Sequence, residues 1–155
     1  MDAREVWKLA LEDNEGRITR LQMFYEILKV IEKRSTCDRK QVAAIIEKDG
    51  RIISMGYAGA PSGLPHCIDV GCEIGEHGGC ISTVHAESAA IAYAAKNGIS
   101  TNEATLYCTM SPCLTCAKLI INSGITSVFY MEEYRDTSGI DLLKRAGVMV
   151  NGRVY

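Results

Sequence analysis

Two short segments constrain this chain more than anything else in it: VHAESAAI, carrying His85 and Glu87, and SPCLTC, carrying Pro112, Cys113 and Cys116. One imidazole and two thiolates are donors that suit zinc, and a catalytic zinc site usually offers three protein ligands and leaves the fourth position to water. Both segments read as helix starts. Ser111 followed by Pro112 pairs a capping residue with the residue most at home in the first helical position. The helix then runs through Ala117, Lys118, Leu119, Ile120 and Ile121 to a stop at Gly124. Cys113 and Cys116 are three apart, so they share a face and can grip one ion. Their place in the first turn, at the positive end of the helix, favours thiolate over thiol. Ser82 or Thr83 can cap the helix behind His85, and the fold has to bring these two helix starts together.

Glu87 is not needed as a fourth ligand. Two positions after His85, it can lean over the open coordination position, take a proton from water there and deliver it to a leaving group. H-x-E followed by P-C-x-x-C is the pattern of zinc-dependent nucleobase deaminases. The competing reading is a structural zinc with Glu87 incidental on a solvated helix face.

A chain of 155 residues suits one domain, 1–155, with an N-terminal extension helix within 1–16 and a metal-binding insertion at 66–80. A net charge of −2 gives no basic footprint for a nucleic-acid polymer, although a few local cations suffice for a small anionic ligand. No apolar run approaches the ~20 residues of a membrane span. The opening MDAREVWKLALEDNEG lacks a signal-peptide core, so the expected location is the cytoplasm. Seven cysteines there argue for metal rather than disulfides.

In chain order, residues 2 to 13 place Val6, Leu9 and Ala10 on one helical face, with Asn14-Glu15-Gly16 as a stop. This short helix either packs on its own chain or lies on a neighbouring subunit. A stronger helix runs from about Ile18 to Lys33 with the stripe Leu21, Phe24, Tyr25, Leu28 and Ile31. Gln41 to Glu47 and Arg51 to Tyr57 read as strands joined by a Lys48-Asp49-Gly50 hairpin turn. The loop Ala58 to Pro65 is either a plain connection or a ligand-facing wall. The helix after His85 has small residues (Ala89, Ala90, Ala92, Ala94, Ala95) that permit close packing on a sheet and ends at Asn97-Gly98. Ala104–Met110 and Thr126–Met131 read as strands around the SPCLTC helix, so a strand–helix–strand crossover is expected. A helix over Gly139–Gly147 and a short strand at Val148–Val150 follow. The expected fold is a three-layer α/β/α unit on a mixed sheet of about five strands. Its ligand pocket should lie where the two ligand-bearing helices begin, beyond the carboxyl ends of strands.

The pattern extends beyond the motifs. RSTCDRKQVAAIIEKDGRIISMGYAGAPSGLPHC, then CISTVHAESAAI, TLYCTMSPCLTCAKLIINSGI and YRD with LLKRAGV strongly resemble deoxycytidylate deaminases of the bacterial and phage type. The similarity runs from about Phe24 to Val150. It implies the cytidine deaminase fold, a homo-oligomer that is often hexameric, hydrolysis of dCMP to dUMP and ammonia, and in many members activation by dCTP and inhibition by dTTP. By the same resemblance, His85, Cys113 and Cys116 hold the catalytic zinc and Glu87 shuttles protons. Ala58, Ala86 and the backbone of Ser111, Pro112 and Cys113 border the substrate.

Four positions depart from the family. Ala58 replaces an Asn that holds the sugar, Ala89 replaces an Asn in the helix, Ser82 replaces a common Arg, and Met110 stands where relatives often carry His. A lost hydrogen bond to a ligand changes affinity by about 1–3 kcal/mol. The departures read as a modified or different nucleotide substrate, as drift compensated by neighbours, or as altered dCTP regulation. Arg39, Ser62, Tyr134 and Arg135 are candidates for holding a 5′-phosphate, with Arg favoured because its fork binds two oxygens at once. Cys37, Cys67, Cys72 and Cys80, with His66 as an alternative ligand, resemble the second, structural zinc site of part of the family. A metal clip there would order a glycine-rich segment with little apolar content. The other reading is free buried thiols. Cys108 reads as a small apolar core residue.

Overall fold

The strands alternate their side chains between two hydrophobic layers. From β1 (Ala43–Lys48), Ala44 and Ile46 join one core while Ala43 and Ile45 join the other. From β3 (Thr105–Met110), Leu106 and Cys108 face the first and Tyr107 the second; from β4 (Ser127–Glu132), Val128 and Tyr130 oppose Phe129 and Met131. A period of two on a sheet buried on both faces requires helices on each side. We describe residues 3–12 and 16–152 of a computed structural model.

The five strands lie in the order β2-β1-β3-β4-β5, with β2 spanning Arg51–Tyr57 and β5 Met149–Gly152. β1 is antiparallel to β2 and β3, and β3, β4 and β5 are parallel. The expected mixed sheet is therefore present, with an opening hairpin whose turn residues Asp49 and Gly50 both have positive φ, 53° and 78°. The first strand starts two residues later than its sequence pattern suggested, because Gln41 and Val42 approach as an irregular arm.

α1 (Ala3–Leu11) and α2 (Arg20–Ile31) cover one face. Thr19 caps α2 in a reciprocal pair with Gln22, and the stripe Leu21, Phe24, Tyr25, Leu28 and Ile31 is buried as expected. A 3₁₀ turn, Glu32–Arg34, ends it. α1 packs on its own chain: Ala10 is buried and Trp7 meets Phe129 at a centroid distance of 5.2 Å. Phe129 stacks on Tyr107 at 5.0 Å, and Tyr107 meets Phe24 at 4.6 Å. Burying each such ring contributes about 1.5–3 kcal/mol. The Val6 side chain, Asn14 and Glu15 lie outside the described residues.

The other face carries α4 (Ala86–Lys96), α5 (Leu114–Asn122) and α6 (Ser138–Arg145); α3 is one turn, Cys67–Val70. α4 lies against the sheet through Ala86, Ala90 and Ala94, whereas Ala92 and Ala95 face outward. The close approach is set by Gly56 on β2, where a Cβ would meet the Ala86 carbonyl and come within 2.7 Å of the Ala90 nitrogen. Among the described residues no helix is long and apolar enough to cross a membrane.

Candidate active site

Neither site helix begins where its sequence suggested. His85 itself is the N-cap of α4 (φ −65°, ψ 148°), in place of Ser82 or Thr83. Cys113 is the N-cap of α5 (φ −71°, ψ 171°), in place of Ser111, so Pro112 lies before the helix. The physical reason is the same in both cases. An extended N-cap residue projects its side chain over the helix end, and here that side chain belongs to a group that could hold a metal ion. Ser111 serves elsewhere: its hydroxyl accepts the Tyr134 N–H at 2.7 Å, while its own N–H donates to the Glu132 carbonyl.

The two helix starts converge. His85 Nδ1 lies 3.4 Å from each of the Cys113 and Cys116 sulfurs. Zinc with bonds of about 2.0 Å to nitrogen and 2.3 Å to sulfur at tetrahedral angles places such atoms about 3.5 Å apart. The donor set therefore fits zinc. Val84, just before His85, is clamped to Gly59 by two backbone bonds, of 2.7 and 3.4 Å. Cys116 is buried and touches the Ser88 hydroxyl at 3.4 Å.

Hydrogen bonding from Cys116 outweighs burial and, with help from His85, pulls the Cys113 thiol down to about 3; the same pairing, with burial, pushes Cys116 up. The hydrogen bond with Cys113 raises the His85 ring against the opposing effect of burial. Glu87, in the first turn of α4, is buried, and desolvation raises its carboxyl above the usual carboxylate range.

All of this opens into a cleft of about 500 Å³, a volume within the range of small-molecule sites. Its walls include His85, Glu87, Cys113, Ser111, Ala58 and Met110, together with Arg39, Tyr134 and Arg135. Lys40 also lines it, with its Nζ 4.1 Å from the centre of the Tyr134 ring, and Arg135 lies 5.8 Å from the same ring. Sequence reading passed over Lys40, although its position beside Arg39 at the entry to β1 was the available signal. Thr83 and Glu133 were missed too, and the Tyr130 hydroxyl donates to Glu133 at 3.2 Å.

Other candidates sit apart from the cleft lining. Ser62 is exposed on the loop after β2, and Ala86 is buried beneath Gly56. Pro112 turns its carbonyl toward Gly139, Ala89 packs at Gly56, and the Ser82 hydroxyl accepts the Glu73 N–H at 3.2 Å.

Cys37, Cys67, Cys72 and Cys80 form a second cluster, with all four sulfurs within 4.8 Å of one another. Cys37–Cys72 and Cys67–Cys80 are 3.5 and 3.6 Å apart, near the edge of about 3.8 Å expected for a tetrahedral zinc tetrathiolate. His66 is exposed at the cap of α3 and outside the group. Burial raises Cys67 and Cys72; at Cys80 burial is outweighed by hydrogen bonds from Ser82 and Cys67, which bring it to about 6. The segment is shaped by the Ile74–Cys80 bridge and by bonds from Gly75 to Gly79 and Ile81 to Glu73.

A three-layer fold with an imidazole, two sulfurs and a buried carboxyl at paired helix starts defines a hydrolytic nucleotide deaminase. Residues 18–132 match the cytidine and deoxycytidylate deaminase zinc-binding region, and the chain belongs to that family. It is 41% identical over 136 residues to ComE operon protein 2 of Bacillus subtilis, covering 86% of this chain and 71% of that protein. It is 35% identical to the deoxycytidylate deaminase of Enterobacteria phage T4, covering 81% and 85%. The solved structure of the cyanophage S-TIM5 dCMP deaminase in complex with dCMP and dUMP matches with a TM-score of 0.78 and 35% identity, over 89% of this chain and all (100%) of that one.

Proposed function

We propose that this chain converts dCMP and water to dUMP and ammonia, with zinc held by His85 Nδ1, Cys113 and Cys116. The observation that carries the reading is the buried Glu87 carboxyl, which lines the same cleft as His85 and Cys113 and shares it with Arg39, Lys40 and Arg135. The names of the phage relatives support the choice of dCMP.

Zinc bound there supplies Lewis acidity that lowers the pKa of water toward neutrality. Glu87 accepts the proton that water gives up as its oxygen adds to the amino-bearing ring carbon. The same carboxyl passes that proton to the adjacent ring nitrogen, then takes the second proton from the added hydroxyl as the carbonyl forms and gives it to the departing amine, which leaves as ammonia. Its burial suits this work, because a carboxyl that is easily protonated returns the proton near neutral pH. Arg39, Lys40 and Arg135 hold the 5′-phosphate, and Lys40 and Arg135 both lie against the Tyr134 ring.

A second reading is favoured by Ala58 and Met110, which both line the cleft without a charged or amide group. On that reading the substrate is a 5-substituted deoxycytidylate. Ammonia release with dCMP, 5-substituted dCMPs, dCTP and deoxycytidine distinguishes the two. Glu87→Gln is expected to lower kcat by about 10²–10⁴-fold with zinc retained, and an unchanged kcat refutes the proton shuttle.

In the same reading the four-cysteine cluster holds a structural zinc, so metal analysis should find about two equivalents per chain. Homo-oligomerisation is supported by the edge strand β2, where Ile52 and Met55 are exposed, and by exposed Tyr93 on α4; sedimentation tests it. Response to dCTP and dTTP is tested in the same ammonia assay.

A further inference from the structure

We propose that the Cys37–Cys67–Cys72–Cys80 clip is also an oxidation site for hydroperoxides, whose thiols close as Cys37–Cys72 and Cys67–Cys80 and give up their metal. The pairing follows from geometry. Two sulfur pairs in the cluster stand at hydrogen-bonding distance and angle, Cys37–Cys72 at 3.5 Å and Cys67–Cys80 at 3.6 Å. A disulfide needs about 2.05 Å, so each pair has to close by about 1.5 Å. The backbone that carries them can yield. Cys37, Cys72 and Cys80 lie outside helices and named strands, and Cys67 opens a helix of four residues.

Exposure divides each pair in the same way. Cys37 and Cys67 are buried, whereas their partners Cys72 and Cys80 are half-buried. An oxidant therefore meets Cys72 and Cys80 first, and a buried sulfur waits beside each to resolve the product. In each pair the outer thiolate attacks the peroxide oxygen, breaking the O–O bond to give a sulfenic acid and an alcohol or water. The inner thiol then attacks that sulfur and water leaves. Two pairs consume two peroxides and four protons if the sulfurs begin as zinc thiolates, and the ion is released as a free divalent cation. Cys108, fully buried in β3, offers no such access.

The clip forms part of the cleft wall, which gives its oxidation a consequence. Cys37, Gly78, Gly79 and Cys80 line the cleft, and the Arg39 guanidinium donates to the Gly78 carbonyl at 3.2 Å. Drawing Cys37 and Cys80 toward other partners changes the frame that holds Arg39.

Metal release rests on the reading of a second zinc site; the pairing does not. The test starts from reduced, zinc-loaded protein treated with hydrogen peroxide in the presence of a chromophoric chelator, then alkylated and digested after acidic residues. Cleavage at Asp69 and Glu73 separates Cys67, Cys72 and Cys80. The expected result is a mass loss of about 4 Da in two linked peptides, 37–72 and 67–80, with about one zinc equivalent released and recovered on reduction. Cys72→Ser should abolish the Cys37 link and leave Cys67–Cys80. Crossed pairing, peroxide stoppage at sulfinic acid, or a Cys113–Cys116 disulfide with the clip still alkylatable overturns the proposal. If the reduced protein holds about one zinc per chain, the second-metal reading fails while the peptide map still decides the pairing.

Discussion

Replacing Gly139 with alanine tests whether α6 fixes the position of the ligand-bearing turn. An added Cβ would press on the Pro112 carbonyl oxygen and lie 2.8 and 2.9 Å from the carbonyl carbon and oxygen of Cys113. Carbon contacts settle near 3.5–4.0 Å, so the two backbones must part by about 0.7–1.2 Å. Neither neighbour is a side chain that can swing aside. Overpacking of this kind costs about 1–3 kcal/mol, which at about 2–4 °C per kcal/mol lowers Tm by roughly 2–12 °C in a chain of this size. Turnover should suffer more than stability, because Cys113 is the N-cap donor and a misplacement of about 1 Å at a reacting centre costs about 10²-fold. The assay is kcat for ammonia release beside zinc content and thermal unfolding of the same preparation. A kcat within twofold of the parent, with Tm lowered, would show that α6 supports the fold without positioning the site.

Removing Lys40 as Lys40→Ala should raise KM for a nucleotide monophosphate about tenfold or more, since a charge-assisted contact contributes about 1.5–3 kcal/mol. It should leave deoxycytidine turnover nearly unchanged; equal losses on both substrates would place Lys40 outside phosphate binding. Burial raises the Glu47 carboxyl despite its bond from the Gly50 N–H at 2.6 Å and the charge of Arg20. A raised folded pKa means that its contribution is fully present below the unfolded value of 4.5 and is lost as pH rises through the folded value. Glu47→Gln, which keeps an acceptor for Gly50, should therefore be more stable than the parent at pH 7 and similar near pH 4, as read by thermal unfolding. A gap independent of pH would contradict the burial argument.

The layers of the fold were legible because β1, β3 and β4 carry apolar residues on both faces and α2 has an unbroken stripe. The clustering of His85, Cys113 and Cys116 was legible because these residues have few other uses at that spacing. The caps were not: Ser and Thr read as the capping residues by propensity, and no local rule says that a cysteine or histidine will take that position for a metal. Trp7 was passed over because α1 is short and its partner, Phe129, is 122 positions away in sequence. Ser62 read as a candidate phosphate contact, and Ala89 as a substrate-contact position by resemblance. The first points to solvent and the second is spent on the close approach at Gly56. Distances across the chain decide such cases, and sequence spacing carries none of them.

The placement of the donors at two N-caps also explains why this site needs sulfur. Two helix starts bring their positive ends to one point, which by itself repels a divalent cation. Sulfur donors reverse that sign, and hydrogen bonds from Cys116 and His85 favour the ionised form at Cys113. Glu87, one turn into α4 and buried, feels the same field yet has its carboxyl raised by desolvation. Burial therefore outweighs the helix end at the acid, while hydrogen bonding outweighs burial at Cys113. One cleft thus keeps a sulfur ionised and a carboxyl ready to carry a proton, and that separation is what a hydrolytic deamination requires.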